Sequence, residues 1–105
     1  MAADTTVFHA IADPTRRGLL LMLRDGEMGA SDLARPFATT QSAISQHLSI
    51  LRKAGLVQYR REGRRRYYRV SPKPLREIAD WVAFFERFWD EKFEALTEYL
   101  QRRPS

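Results

Sequence analysis

Cysteine is absent from the chain, which excludes disulfides, thiolate metal sites and cysteine-based redox switching and leaves the compartment unmarked by thiol usage. Histidine occurs only twice, as His9 and His47. With no cysteine nucleophile and no short acid–base or metal motif, an enzyme is the least favoured class of function. No run approaches the roughly 20 apolar residues of a membrane span, and no charged-then-apolar leader precedes the rest, so no membrane partner and a cytoplasmic location are expected.

What is present is an ordinary globular composition. The chain has 105 residues, 44% of them hydrophobic and 30% charged. That length bounds it to one domain, residues 1–105, with a modest core that commonly gains from oligomerisation. The net charge of +5 is unevenly spread: residues 1–58 hold six basic and five acidic groups, residues 59–74 seven and one, and residues 75–105 five and seven. The positive charge therefore sits at 59–74, where a polyanion would be met.

Ser31 to Val57 organises the rest, reading SDLARPFATTQSAISQHLSILRKAGLV. It is a short helix, a tight turn, a longer helix and a glycine that releases the chain into a strand. In the longer helix Ile44, Leu48 and Leu51 recur at helical spacing, while Gln41, Ser42, Ser45, Gln46 and Ser49 fall largely outside that apolar stripe. A helix meant for a DNA major groove must avoid carboxylates and hold donors and acceptors near the base edges, and this polar face does both. Downstream, Tyr59 to Tyr68 reads YRREGRRRYY. It suits a two-stranded hairpin tipped by Glu62-Gly63 and loaded with guanidinium groups. The fold expected is mainly α with a small β-hairpin: a winged helix-turn-helix.

Taken in order, Met1 to Thr5 is a lead-in, and Thr5 or Thr6 caps a short helix carrying Val7, Phe8 and Ile11. Asp13-Pro14 starts a second helix, with Asp13 as cap and Pro14 in the first turn, ending at Asp25-Gly26. Arg16 and Arg17 gain nothing from the dipole at that helix end, so they have two readings: phosphate contacts, or a solvated face. Ser31 caps the next helix, which Pro36 ends or kinks, and Thr39 or Thr40 caps the base-reading helix. His47 is a packed, hydrogen-bonded residue or, alternatively, a phosphate contact from the rim. Arg52 and Lys53 suit the dipole of that helix's last turn whatever else they do.

Gly55 supplies a left-handed cap before a strand from Leu56 to Arg61. The hairpin has too little apolar content for two buried faces, so one side faces solvent or DNA. Arg60, Arg64, Arg65 and Arg66 are its candidates for the phosphate backbone or a minor groove. From Leu75 the chain reads as one helix of about 27 residues, about 40 Å long at 1.5 Å per residue. Its apolar stripe is longer and more aromatic than a small domain needs, and a second copy would cover it. Val7, Ile78, Trp81, Val82, Phe85, Phe88, Trp89 and Phe93 are the expected homodimer interface, with residues 75–102 as the dimerisation helix.

The segments DPTRRGLLLML, SDLA, QSAISQHLSILRKAGLV and RREGRRRYYRV, from Pro14 through Tyr68, together resemble the ArsR-type winged-helix repressors. The tail WVAFFERFWDEKFEAL is similar to a branch of that family with an aromatic-rich final helix. The resemblance implies a homodimer that represses transcription by occupying a two-fold-symmetric operator, often its own. It also implies that Gln41, Ser42, Ser45, Gln46 and Ser49 read bases while the hairpin arginines grip the backbone or minor groove. Metal-sensing relatives place a cysteine pair where this chain has Gly29 and Ser31, neither of which can bind a soft metal. Others build zinc sites from Asp, His and Glu in the final helices, yet residues 75–105 contain no histidine. Asp80, Asp90, Glu91 and Glu94 are explained more simply as a solvated acidic face than as a hard-cation site, so no cofactor or metal is expected and the effector stays open. The competing classes are a winged-helix protein-interaction module and a non-specific architectural DNA-binding protein.

Overall fold

A computed structural model describes residues 6–102; the lead-in expected over Met1 to Thr5 lies outside them. The element order is α1 (Val7–Ala10), α2 (Pro14–Leu23), β1 (Met28–Gly29), α3 (Ala30–Ala34), α4 (Gln41–Lys53), β2 (Val57–Glu62), β3 (Arg65–Val70), a 3-10 turn (Lys73–Leu75), α5 (Arg76–Ala83) and α6 (Glu86–Arg102). Three side-chain caps start the first, second and fourth helices. Thr6 accepts from the His9 N–H, Asp13 from Arg16 and Thr40 from Ala43, each at 3.0–3.1 Å. Each satisfies a donor that the first helical turn leaves without a partner. The third helix begins earlier than expected: Gly29, not Ser31, is its N-cap and offers no side-chain acceptor. It ends at Arg35, before Pro36.

Leu19, Leu23, Leu33, Ile44, Leu48, Leu51, Leu56 and Val57 are fully buried and, with Tyr68, knit α2, α3, α4 and the hairpin into one core. Gly55, at φ +80°, supplies the left-handed turn from α4 into β2. The first strand of the hairpin is shifted one residue along from the expected Leu56 to Arg61, and its two-residue loop is Gly63-Arg64, not Glu62-Gly63. Gly63 at φ +64° takes the first central position, the glycine site of a type II′ turn. A third strand also joins the sheet. Met28 and Gly29 pair antiparallel with Tyr68 and Tyr67, so the strand order is β1-β3-β2. Two residues are too few for alternation to reveal them in sequence.

The expected single helix from Leu75 is two helices. At Phe84 and Phe85 the backbone N–H groups bond three residues back, to Trp81 at 3.2 Å and Val82 at 2.9 Å, before helix resumes. No glycine or proline marks the break, so periodicity alone runs through it. Helix α6 contains no buried residue. The radius of gyration is 18.7 Å, against about 13 Å for a globular chain near this length. The last helix stands off the body and presents its apolar side to solvent.

Candidate nucleic-acid interface

The recognition helix α4 is held from beneath by Ile44, Leu48 and Leu51, which fixes what the opposite side shows. Gln41, Ser42, Ser45 and Gln46 are exposed and Ser49 is half-buried. These five residues follow one another at helical spacing along one face. Their hydroxyl and carboxamide groups make no side-chain hydrogen bond to another described residue, leaving donors and acceptors available on a face with no carboxylate.

The wing divides its arginines by strand register. Val57, Tyr59 and Arg61 on β2 oppose Val70, Tyr68 and Arg66 on β3, while Gln58, Arg60 and Glu62 oppose Arg69, Tyr67 and Arg65. Side chains alternate along a strand, so these two sets point to opposite faces. On the second face Arg60 is paired with carboxylates. Arg60 Nε and Nη2 donate to Glu27 at 2.8–3.2 Å, its Nη1 donates to Glu62 at 2.8 Å, and its guanidinium lies 4.8 Å from the Tyr67 ring centroid. Arg69 donates to Gln58 at 2.6 Å. The hydrogen-bonded Arg60 guanidinium holds the Glu27 carboxyl below the ordinary range despite some desolvation. Glu27 and then Glu62 keep Arg60 even more firmly charged than a solvated arginine. Arg60, expected from the sequence to be a DNA contact, has both Glu27 and Glu62 as partners while its side chain stays half exposed.

On the first face the valine and tyrosine pairs pack inward, but the outermost pair sets Arg61 directly across from Arg66. Like charges in that position destabilise a sheet unless an anion answers them. Neither arginine makes an ion pair with a described residue. Arg66 stacks on Tyr59 at 5.0 Å, and Arg52, from the last turn of α4, lies over the same ring at 5.4 Å. Tyr59 thus ties the end of the recognition helix to the wing. Arg61, Arg64, Arg65 and Arg66 line a cleft of about 620 Å³ with Ser45 of α4 and Ser31, Asp32 and Arg35 of α3. Sequence reasoning passed over Arg61 in favour of Arg60; the alternation of Tyr59 and Tyr68 with their neighbours was the available signal.

Arg16 is also corrected. It is 8% exposed, and its nitrogens are engaged: Nε donates to the Ala10 carbonyl at 2.7 Å, Nη2 to the His9 carbonyl at 3.1 Å, and Nη1 lies 3.2 Å from His47 Nδ1. A buried guanidinium bonded in this way cannot reach a phosphate. Arg17 is exposed and spends one donor on the Ile11 carbonyl at 2.8 Å. His47 is half-buried against Arg16, with Asp13 Oδ2 3.8 Å from Nδ1. Burial pushes the Asp13 carboxyl up, but the backbone N–H of Arg16, the charges of His47 and Arg16 and the N–H of Thr15 together hold it below its usual value.

Of the expected interface residues, Val7 is a correction: at 6% exposure it belongs to the core of its own chain. Ile78 is half-buried against that core, and Val82 is half-buried. Trp81, Phe85, Phe88, Trp89 and Phe93 are exposed, with Phe93 at 67%, and so are Phe8, Leu96, Tyr99 and Leu100. Phe8, Trp81 and Phe85 form an aromatic ladder with centroid spacings of 5.9 and 5.2 Å. Among the described residues no group of three or more His, Cys, Asp or Glu side chains could hold a metal ion, and no helix is long and apolar enough to cross a membrane.

A helix-turn-helix with an exposed, carboxylate-free second helix, followed by a cationic hairpin, defines a winged-helix DNA-binding protein. The model of the arsR family of bacterial regulatory proteins matches residues 13–59. The chain is 39% identical over 79 residues to the transcriptional repressor SdpR of Bacillus subtilis, covering 75% of this chain and 88% of that one. It is 35% identical over 102 residues to the arsenical resistance operon repressor of Escherichia coli, covering 92% and 84%. The solved structure of an ArsR-like transcriptional regulator from Rhodococcus superposes with a TM-score of 0.70 at 29% identity, covering 98% of this chain and 94% of that one. The chain belongs to the arsR family of bacterial regulatory proteins.

Proposed function

We infer that the chain is a cytoplasmic transcriptional repressor that binds a two-fold-symmetric operator as a homodimer, its own promoter being the first candidate. The observation that carries this reading is the adjacency of two surfaces: the exposed Gln41, Ser42, Ser45 and Gln46 on α4, and the unneutralised Arg61 and Arg66 face of the wing. The first offers hydrogen-bonding groups to base edges, and the second offers charge to phosphates. Ser49, half-buried at the edge of the same face, completes the reading set. Arg64 and Arg65 extend the cationic surface to the tip, and Arg17 retains donors for a flanking phosphate.

The second copy is supported by the aromatic side of α5 and α6. A stripe running from Trp81 through Phe93 to Leu100, exposed throughout, is a larger contiguous apolar surface than a solvated monomer ordinarily carries. Pairing it with its own copy buries both and sets two α4 helices to read half-sites about one turn of DNA apart. Bound over a promoter, such a dimer blocks polymerase. The reading is tested by enrichment from a duplex library at near-physiological salt, with the promoter region of the chain's own gene included, followed by a reporter assay on the selected site. Enrichment of a palindrome and loss of reporter output on adding the protein are expected. Salt-sensitive binding with no shared sequence would replace the repressor with an architectural role.

A further inference from the structure

Arg16 is the only charged residue buried among those described, and taking a guanidinium out of water is costly unless its donors are answered. Here they are answered by groups on two different elements. Nε and Nη2 take the carbonyls of Ala10 and His9 in the last turn of α1, the second of which also accepts from the Ala12 N–H at 3.2 Å. Nη1 takes His47 on the recognition helix at 3.2 Å. Arginine has donors only, so this contact is a hydrogen bond when Nδ1 accepts, and Asp13 Oδ2 lies 3.8 Å from the same nitrogen. Helix α1 is fastened on its other side as well, because Phe8 meets Trp81 of α5 edge-on at 5.9 Å. An unbroken set of contacts therefore runs from the aromatic face through α1 and Arg16 to a residue flanked by Gln46 and lying between Ser45 and Ser49.

We propose that Arg16 and His47 are a positioning pair that sets the rotation of α4 on the body and couples the aromatic helices to base reading. The inference rests on α4 being the base-reading helix. Its leverage is geometric: with side chains about 5–6 Å from the helix axis, a rotation of about 10° moves their ends by about 1 Å. That displacement stretches and tilts a hydrogen bond of about 2.9 Å and so weakens it, whereas phosphate attraction falls off far more gently. Loss of the pair thus weakens sequence preference and leaves non-specific binding in place.

The test compares His47→Ala, which removes the acceptor, with His47→Asn, whose carboxamide oxygen stands close to the place of Nδ1, and with Arg16→Lys. Affinities of the full-length protein for its selected duplex and for a scrambled duplex are measured well below the melting temperature. His47→Ala and Arg16→Lys are expected to lower the specific-to-scrambled ratio about tenfold or more, with scrambled binding unchanged, and His47→Asn to restore it. A ratio unchanged in His47→Ala, or a loss that His47→Asn does not repair, overturns the pair. If the wild type itself prefers no duplex, the base-reading assignment fails, and nitrogen-15 spectra of the free protein decide the pair independently. They are expected to show movement of the Ser45 to Ser49 amide signals in Arg16→Lys; unmoved amides refute it.

Discussion

Deleting Arg61 and Arg66 together should flatten the salt dependence of DNA binding, whereas deleting Arg60 with Glu27 should not. The two perturbations differ in what the guanidinium does in the protein. Arg60 is bonded to Glu27 and Glu62, so removing it together with Glu27 takes away one charge of each sign and no phosphate ligand. Arg61 and Arg66 face each other across the strands with no carboxylate partner among the described residues. Each phosphate neutralised contributes about 0.9 to the slope of log affinity against log salt. If each of the two arginines meets one phosphate, the two wings of the proposed dimer supply about 3.6 of that slope. Between about 50 and about 200 mM salt, this amounts to roughly a hundredfold in affinity. Fluorescence anisotropy over a salt series on the selected duplex measures it. The wild type and Arg60→Ala/Glu27→Ala should share a slope, and Arg61→Ala/Arg66→Ala should lose about three units or more. A matching loss in both double variants would refute the distinction between the carboxylate-paired Arg60 and a phosphate-binding Arg61 and Arg66.

Replacing Ser45 or Gln46 by Ala should cost about 1–3 kcal/mol of discrimination at the base pair each contacts while leaving the salt slope alone, read by affinities for single-base operator variants. Phe85→Glu or Trp89→Glu, at positions exposed on the isolated chain, should leave the fold's circular dichroism intact but shift sedimentation to the monomer and weaken operator binding; an unchanged sedimentation coefficient would remove these residues from the interface. Asp13→Ala should cost about 1 kcal/mol of stability at neutral pH through loss of the α2 cap. The Asp13 carboxyl is held below its unfolded value of 3.8, so its contribution is present above that pH and is lost as pH falls through the folded value. Urea denaturation of wild type and variant should therefore differ at pH 7 and converge in strong acid; a constant gap would exclude the charged cap.

The elements whose sequence pattern coincides with their burial were legible. Helix α4 runs from Gln41 to Lys53 as its apolar period and its Thr40 cap indicate, and Asp13-Pro14 opens α2 as expected. What escaped the sequence has local physical reasons. The two-residue strand at Met28 exists only because β3 lies beside it, so no local preference announces it. The 3-10 break at Phe84 and Phe85 interrupts two helix-forming segments without a glycine or proline. Val7 was grouped with the exposed aromatics by its apolar character, yet the small core drew it inward.

The arginines show why charge counted along a chain is a weaker guide than charge counted by partner. Arg16, Arg60 and Arg61 are chemically identical, and their place in the sequence does not separate their roles. Their roles separate according to the acceptors that tertiary structure brings within about 3 Å. For Arg16 these are two carbonyls at the frayed end of α1 together with His47, which makes burial tolerable and turns the side chain into a tie between helices. For Arg60 they are Glu27, delivered by the turn before β1, and Glu62, two residues along its own strand. Arg61 is next in sequence to Arg60, but the strand's alternation turns it to the face where no carboxylate follows and where Arg66 opposes it. A like-charged pair at the rim of a folded sheet costs stability, and neither arginine has an ion-pair partner among the described residues, Asp32 in the same cleft being paired with Arg35. Under the proposed function, a DNA phosphate beside the recognition helix would supply the missing anion. Affinity and specificity are thereby separated onto two elements joined at Tyr59, the ring on which Arg52 of the recognition helix and Arg66 of the wing both rest.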